Sequence, residues 1–357
     1  MFNIFWPFKL IGGLLRLLVN GLVLASCALT VAAFMGERGW LWTLTSHFRM
    51  QYLAIQLIAL VLITLSWWLF RRKGKPPASR AEMWMGTIFL MFFAGLNLSQ
   101  IVPYYPPFAK PDARESGMAD TVKLMHINLF GYLNNSRSLV IEALQATDAD
   151  IVDLVEYTEP WRRELERSGA LKRYPYKIAG KNHIGLYSKR PLHNARLVYT
   201  DPQHQTTPYA NIIADFKLNG HPVTILVAHP ASPIQPSHLQ WQQASFRAWE
   251  HERGKLGRNL IIVGDLNTAP WSPEFAQLLS KTGLRDSQLG YGIQPTWPAF
   301  FPAPGMPHAQ SPWAAPLGIP IDHVLVSERI RVLSRQTGPF VGSDHWPVVA
   351  ELGLKKR

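Results

Sequence analysis

Three long apolar stretches fill the first hundred residues, and they constrain this chain more than any other feature. The first runs from about Ile11 to Phe34, broken by Arg16 and Asn20; the second, Tyr52–Phe70, and the third, Trp84–Val102, carry no charge. A helix needs about 20 apolar residues to cross roughly 30 Å of hydrocarbon, and each stretch reaches or nearly reaches that length. Trp40 and Trp42 follow the first, Trp67 and Trp68 close the second, Trp84 opens the third, and Tyr104 and Tyr105 follow it. An interfacial aromatic belt has that arrangement. Buried core helices are the competing reading, but uncharged runs this long are uncommon in soluble domains. The expectation is a membrane region over residues 1–103 with three transmembrane helices.

Charge supports the same division. The net charge of +12 resembles a nucleic-acid signal until it is split: residues 1–103 carry 9 basic and 2 acidic residues, residues 104–357 carry 27 and 22. The excess therefore concentrates in the most apolar third of the chain, which points to topology more than to a DNA-binding face. Arg71, Arg72, Lys73, Lys75 and Arg80 face one acidic residue, Glu82, whereas the preceding loop holds Arg38 and Arg49 offset by Glu37. The positive-inside rule puts the Arg71–Arg80 loop in the cytoplasm, together with Lys9 and Arg16. The third span then exits and leaves everything after it outside the cytoplasm, in the periplasm of a Gram-negative cell. A single cysteine forms no internal disulfide. Leu24-Ala25-Ser26-Cys27 fits a lipobox, yet Ala28–Val31 stay apolar where a mature lipoprotein turns polar, and Cys27 reads as a small hydrophobe.

Residues 104–121 lose all periodicity and read as a linker. From there to residue 357 short apolar runs alternate with amphipathic ones. Val122–Leu129, Asp150–Val155, Val223–Ala228, Leu260–Val263, Ile321–Ser327 and Pro347–Leu352 read as strands. Ser136–Gln145 and Ser237–Lys255 read as helices, the second with Ser237 as N-cap. Ser272-Pro273-Glu274 combines an N-cap, proline at the first helical position and an acidic first turn. Polar residues recur at strand ends: Asn128, Glu156, His229, Asp265-Leu266-Asn267, Asp322, Asp344-His345. Sites in α/β folds are assembled at such ends.

Four blocks taken in order, Glu156, Gly264-Asp265-Leu266-Asn267, Ile321-Asp322-His323 and Ser343-Asp344-His345-Trp346-Pro347-Val348, resemble the endonuclease/exonuclease/phosphatase (DNase I-like) superfamily. Asn128 and His229 complete the set. The resemblance covers about residues 121–354 and, with three preceding spans, extends to the membrane-anchored bacterial members. It implies an α/β (α+β) four-layer sandwich, two mixed β-sheets flanked by helices, over residues 122–357. It also implies a phosphoester hydrolase, most naturally a nuclease-like phosphodiesterase, held in the inner membrane of a bacterium with its partners the lipid bilayer and a phosphoester substrate.

A phosphoester repels nucleophiles, so its hydrolysis needs charge neutralisation, a positioned water and help for the leaving oxygen. Hard oxygen ligands suit Mg²⁺, with Mn²⁺ the alternative. By the resemblance, Glu156, Asn128 and Asp344 hold the metal, and Asp265 orients and deprotonates the water. Asn267 fixes water and phosphate, His345 sits against the phosphoryl group with Asp322 on its other nitrogen, and His229 donates to a non-bridging oxygen. Taken alone, an Asp-x-Asn after a strand is most often an Asx turn. His323 points to the opposite strand face from Asp322 and reads as structural. His126 shares the face of Asn128, and nothing else in the sequence recommends it. Where many nuclease members carry a further polar residue, this chain has Leu129-Phe130, which argues against a second metal. No arginine lies in Gln205–Asn211, leaving Asn211 or Tyr209 as substitutes for a phosphate contact. The Pro298–Pro320 stretch, with seven prolines, reads as a stiff surface loop or as a wall beside the substrate. Three other functions compete: hydrolysis of a lipid headgroup or small phosphoester, an inactive binding module, and a dinuclear zinc phosphoesterase. The intact acidic and histidine set opposes the second, and the missing Gly-Asn-His-Glu and Gly-His-x-His blocks oppose the third.

Overall fold

The computed structural model describes residues 6–72, 79–112, 120–180, 183–199, 210–300 and 314–354. Lys73 and Lys75, the middle of the expected linker, His204, Tyr209 and most of the proline-rich loop lie outside them. The chain divides into two units, Met1–Val102 and Pro103–Arg357.

The first unit is helical: α1 (Trp6–Ala32), α2 (Trp40–Ser46), α3 (Arg49–Arg72) and α4 (Arg80–Ile101). α4 begins a turn before the uncharged run because Ser79 and Glu82 form a reciprocal capping box, each side chain accepting the other's backbone N–H. Polarity in this unit is inverted. Leu57, Ile58, Val61, Leu62 and Leu65 of α3 and Met85, Ile88, Met91 and Phe92 of α4 are exposed, whereas Ser26, Thr30, Gln56 and Asn97 are buried. Asn97 Nδ2 donates to Thr30 Oγ1 (2.8 Å) and Gln56 Oε1 (3.1 Å), joining three helices. Interhelical bonds between polar side chains inside an apolar exterior are how helices associate in lipid. Cys27 lies among Ala59 and Leu90, a small apolar residue at a helix contact. Two segments, Arg49–Leu69 and Arg80–Tyr104, are long and apolar enough to cross a membrane; among the described residues the apolar part of α1, Leu17–Ala32, is shorter.

The second unit runs β1 (Thr121–Asn128), α5 (Arg137–Thr147), β2 (Ile151–Val155), α6 (Glu159–Arg167), β3 (Tyr176–Ala179), β4 (Ile184–Ser188), β5 (His193–Tyr199) and β6 (Ala210–Leu218). It continues with β7 (His221–Val227), α7 (Pro236–Glu252), β8 (Leu260–Asp265), α8 (Pro273–Thr282), β9 (Leu284–Asp286), β10 (Asp322–Ser327), β11 (Ile330–Thr337) and β12 (Val348–Leu354). The strands form two six-stranded sheets ordered β11-β12-β1-β2-β4-β3 and β5-β6-β7-β8-β10-β9. Both are mixed, with β1–β2 and β7–β8 parallel. α5 and α6 cover the first sheet through Val140, Leu144, Trp161 and Leu165; α7 and α8 cover the second through Phe246, Trp249, Phe275 and Leu278. The expected four layers are present. Residues 104–112, read as linker, are bonded into this unit: Gly290 and Gly292 donate to the Tyr104 carbonyl, and Asp112 takes Arg285, Arg331 and the Val332 N–H. α7 begins at Pro236, with Gln235 and not Ser237 as N-cap, since proline at the first helical position fixes the cap two residues earlier.

Between the sheets the core is graded. Side chains alternate across a strand, and on the inner face β1 presents Val122 and Leu124, then His126 and Asn128; β2 presents Ile151, then Asp153 and Val155. From the other sheet come Ile261 and Val263 before Asp265, and Val326 and Val324 before Asp322. One end of the sandwich is aliphatic, and the other is a buried polar layer.

Candidate active site

The polar layer centres on Asp265, at the end of β8 and 1% exposed. Its Oδ1 accepts the Asn267 backbone N–H at 2.9 Å, an Asx turn, while its Oδ2 faces Asn128 Nδ2 at 3.1 Å and both His229 Nε2 and His345 Nε2 at 3.7 Å. One oxygen thus closes the expected Asx turn, and the other is left to the polar cluster. Gly264 makes the approach possible. Its φ is +148°, and a Cβ there would fall on the Ala228 carbonyl oxygen, so only glycine lets β8 run this close to the strand end that carries His229.

Asn128 Nδ2 also reaches Glu156 Oε1 at 3.3 Å, and its Oδ1 accepts the Phe130 N–H at 2.9 Å. Phe130, Glu156 and Asn267 all hold positive φ, at 59°, 52° and 52°. Non-glycine residues in this region store backbone strain, and such residues cluster where a side chain must be aimed. Asn267 is brought to the site, but its Nδ2 donates to the Pro230 carbonyl at 3.1 Å. That bond braces the turn after His229 and uses one of the two N–H groups of the amide expected to hold phosphate. Asp344 approaches from the β11–β12 connection. Trp297 Nε1 donates to its Oδ2 at 3.0 Å and Ala299 N to its carbonyl, while its Oδ1 is buried with no hydrogen-bond partner. The start of the proline-rich loop is therefore a wall of the site, continued by the ring contacts Phe130–Phe300, Phe300–Phe340 and Phe340–Trp346.

His345 Nδ1 lies 2.9 Å from Asp322 Oδ2, the expected couple. The other Asp322 oxygen is 2.9 Å from His126 Nε2, and His126 Nδ1 is 2.5 Å from Asp153 Oδ1. His126 is thus part of the constellation, which corrects its dismissal in the sequence. A charged residue midway along the buried strand Ile-Val-Asp-Leu-Val was the available signal, since such a residue requires a partner. His323 does face away: its Nε2 meets the Thr268 carbonyl at 2.8 Å. Asn211 contributes nothing to this cluster; its amide meets the Val198 carbonyl.

The charges are mutually dependent. Burial, with Asp322 adding to it, raises the Asp265 carboxyl above the ordinary range, against the opposing pull of His345 and His229. Burial alone would lower His345 and raise Asp322; their attraction, with His126 on Asp322, overrides it and holds the imidazole well above and the carboxyl well below their usual values. Burial likewise opposes the charging of His126, and Asp153 and Asp322 still raise it to about 10. The site therefore offers a carboxylate made more basic by burial beside an imidazolium, suited to deprotonating water and to stabilising an anion. For a hard divalent cation, Glu156 and Asp344 fit as oxygen donors, with the Asp344 Oδ1, unpartnered among the described residues, the strongest sign; Asn128 offers the second lone pair of an Oδ1 that already accepts the Phe130 N–H. Asp265, Asp322 and His345 also bring ligand atoms within 4.8 Å of one another, but both Asp322 oxygens are already taken by histidines.

Known proteins share this fold. A search of the curated proteins finds no significant match. Among solved structures, D. rerio TDP2 complexed with a single-strand DNA product is similar over 65% of this chain and 98% of its own, at 15% identity and a TM-score of 0.53. Family proteins from Bacteroides thetaiotaomicron (18% identity, 66% and 98% covered, TM-score 0.51) and Bacteroides vulgatus (15%, 66% and 99%, 0.51) are similar to the same extent. At these identities the likeness is one of fold. The sequence model of the Endonuclease/Exonuclease/phosphatase family matches residues 125–345, a span that begins just before Asn128 and ends on His345. The chain accordingly belongs to the endonuclease/exonuclease/phosphatase family of metal-dependent phosphoester hydrolases.

Proposed function

We propose that this protein is a membrane-anchored, Mg²⁺-dependent phosphodiesterase of nuclease type, acting by in-line attack of water on a phosphodiester. The observation that carries the reading is the convergence of Asn128, His229 and His345 on one oxygen of buried Asp265. Asp265 takes the proton of the attacking water. His345, charged and held by Asp322, donates to the phosphoryl group from Nε2, and His229 donates to a non-bridging oxygen. Asn267 keeps the His229 turn in place. Glu156, Asn128 and Asp344 would hold the cation, which neutralises phosphate charge when bound. The similarity in fold to a protein complexed with a DNA product favours nucleic acid as the substrate. One observation favours a lipid headgroup instead: Tyr132 and Leu133, just beyond Phe130, are 66% and 62% exposed. Three spans with the catalytic unit outside the cytoplasm complete the proposal, supported by the inverted polarity of the first unit.

The full chain, purified in detergent, should cleave a phosphodiester only with Mg²⁺ or Mn²⁺, with EDTA abolishing the activity. Plasmid DNA, RNA, phospholipid vesicles and bis(p-nitrophenyl) phosphate, tested side by side, identify the substrate. Glu156→Gln should raise the Mg²⁺ concentration needed without loss of folding. Activity that survives EDTA and depends on tightly bound zinc would overturn the reading, as would no hydrolysis of any of the four.

A further inference from the structure

His126 and Asp153 stand one step deeper than the catalytic layer, both fully buried, and the mechanism above does not use them. A buried ionic pair costs more in desolvation than a well-packed apolar pair of the same volume, so its presence calls for a function beyond adhesion. The two residues are direct neighbours in register on the parallel strands β1 and β2 of the first sheet. Asp322 belongs to β10 of the second sheet, so the 2.9 Å contact between His126 Nε2 and Asp322 Oδ1 crosses the sandwich. The Asp322 backbone is fixed by other groups: its N–H donates to Thr296 Oγ1, and its carbonyl accepts from Arg335 Nη2. Among the described residues its carboxylate is held by the two histidines alone, Oδ1 by His126 and Oδ2 by His345. The terminal torsion of an aspartate is broad. Held at one oxygen, the carboxylate plane could turn; held at two, it is set.

We propose that His126, itself oriented by Asp153, is a positioning residue for the reaction: it fixes the plane of the Asp322 carboxylate across the sheet gap, and through it the ring of His345. The proposal rests on the phosphodiesterase reading of the site. The line His345–Asp322–His126–Asp153 then acts as one unit, with only its outer end touching substrate.

The test uses the full chain in detergent, with thermal unfolding followed for every variant and bis(p-nitrophenyl) phosphate with Mg²⁺ as the probe. His126→Gln should lower kcat on the order of tenfold to a hundredfold, the range for partners that orient a functional histidine, and leave KM within about twofold. Asp153→Asn, which keeps the side-chain shape, should give a smaller fall in the same parameter and carries the test if His126→Gln does not fold. In a His345→Ala background neither substitution should lower kcat further, because members of one unit are non-additive. A merely structural role would reduce activity by the same factor in both backgrounds, and that result, or an unchanged kcat in folded His126→Gln, overturns the proposal. A second readout needs no turnover. The low-field proton resonance of the His345 Nδ1–H, identified by its loss in His345→Ala, should shift in His126→Gln. If the wild-type chain hydrolyses nothing, the phosphodiesterase reading fails while this resonance still decides the coupling; an unmoved signal overturns it.

Discussion

Asp265 has two oxygens with separate tasks, one closing a turn on Asn267 and the other facing Asn128, His229 and His345. On the proposed mechanism its replacement removes the base and also loosens the loop that bears Asn267, whereas replacement of His345 removes only the imidazolium. Asp265→Ala and His345→Ala should each cost about 3 kcal/mol of transition-state stabilisation or more, a hundredfold or so in rate. The double variant should be little worse than either single. Steady-state kinetics on a generic phosphodiester checks this, and near-normal turnover in His345→Ala would sink the mechanism. Gly264→Ala tests a different property. A methyl group at φ +148° on the Ala228 carbonyl must force β7 and β8 apart, so this variant should lose about 3 kcal/mol or more of stability, an exceptional loss for one added carbon. Denaturant unfolding measures it directly.

Among the elements, the strands legible in the sequence are aliphatic runs, and burial alone does not make a strand legible: β4 and β6 are as buried, but Gly185 and the polar Asn211, Asp215 and Lys217 interrupt their runs. β1, β2, β7 and β8 appear as short aliphatic runs that end at polar residues, and β10 and β12 as runs entered through them; the structure gathers those polar residues into one cluster. β3 and β5 did not appear, because they are exposed edge strands whose residues carry no apolar run. α6 was hidden by its charges: Trp161 and Leu165 alone turn inward from Glu-Pro-Trp-Arg-Arg-Glu-Leu-Glu-Arg. His126 escaped notice for a related reason, since its two carboxylate partners come from β2 and β10, and no local spacing relates them to it. At the aliphatic end of the sandwich the two sheets are clasped by Asp120, just before β1. It accepts from Arg190 at 2.7 and 3.0 Å and from the Asn219 N–H at 2.8 Å, beyond β6. The Arg190 hydrogen bonds, with help from Asn219 and the Arg190 charge, hold this carboxyl below the ordinary range against the opposing effect of burial. A folded-state value below the unfolded one means that the clasp stabilises above about pH 4 and is lost as pH falls through the folded value. Asp120→Asn should therefore flatten the acid limb of the thermal-unfolding midpoint measured between about pH 5 and pH 2. An unchanged acid limb would show that the clasp contributes nothing.

At the scale of the whole molecule, a simple fusion tests the proposed orientation in a membrane. With three spans, a phosphatase reporter placed after Arg357 should be active and a fluorescent protein that folds only in the cytoplasm should be dark; the opposite pair of results would reverse the topology. The two sheets have the same strand order, displaced by six strands around the chain. They differ in when they can close. β5 to β10 follow one another in sequence, so the second sheet needs no later segment. The first sheet needs β11 and β12, and β1 takes β12 as its neighbour over Thr121–His126. During synthesis, and during any export that runs from the first residue to the last, one side of β1 stays bare until Val348–Leu354 arrives. A bare strand edge invites pairing with the wrong chain. The same wait keeps Asn128 and His126 on an unfinished sheet, and His345, three residues before β12, is almost the last part of the site to emerge. On the proposed mechanism an incompletely made copy lacks His345, and hydrolysis begins only once β12 has joined β1 and brought that residue with it.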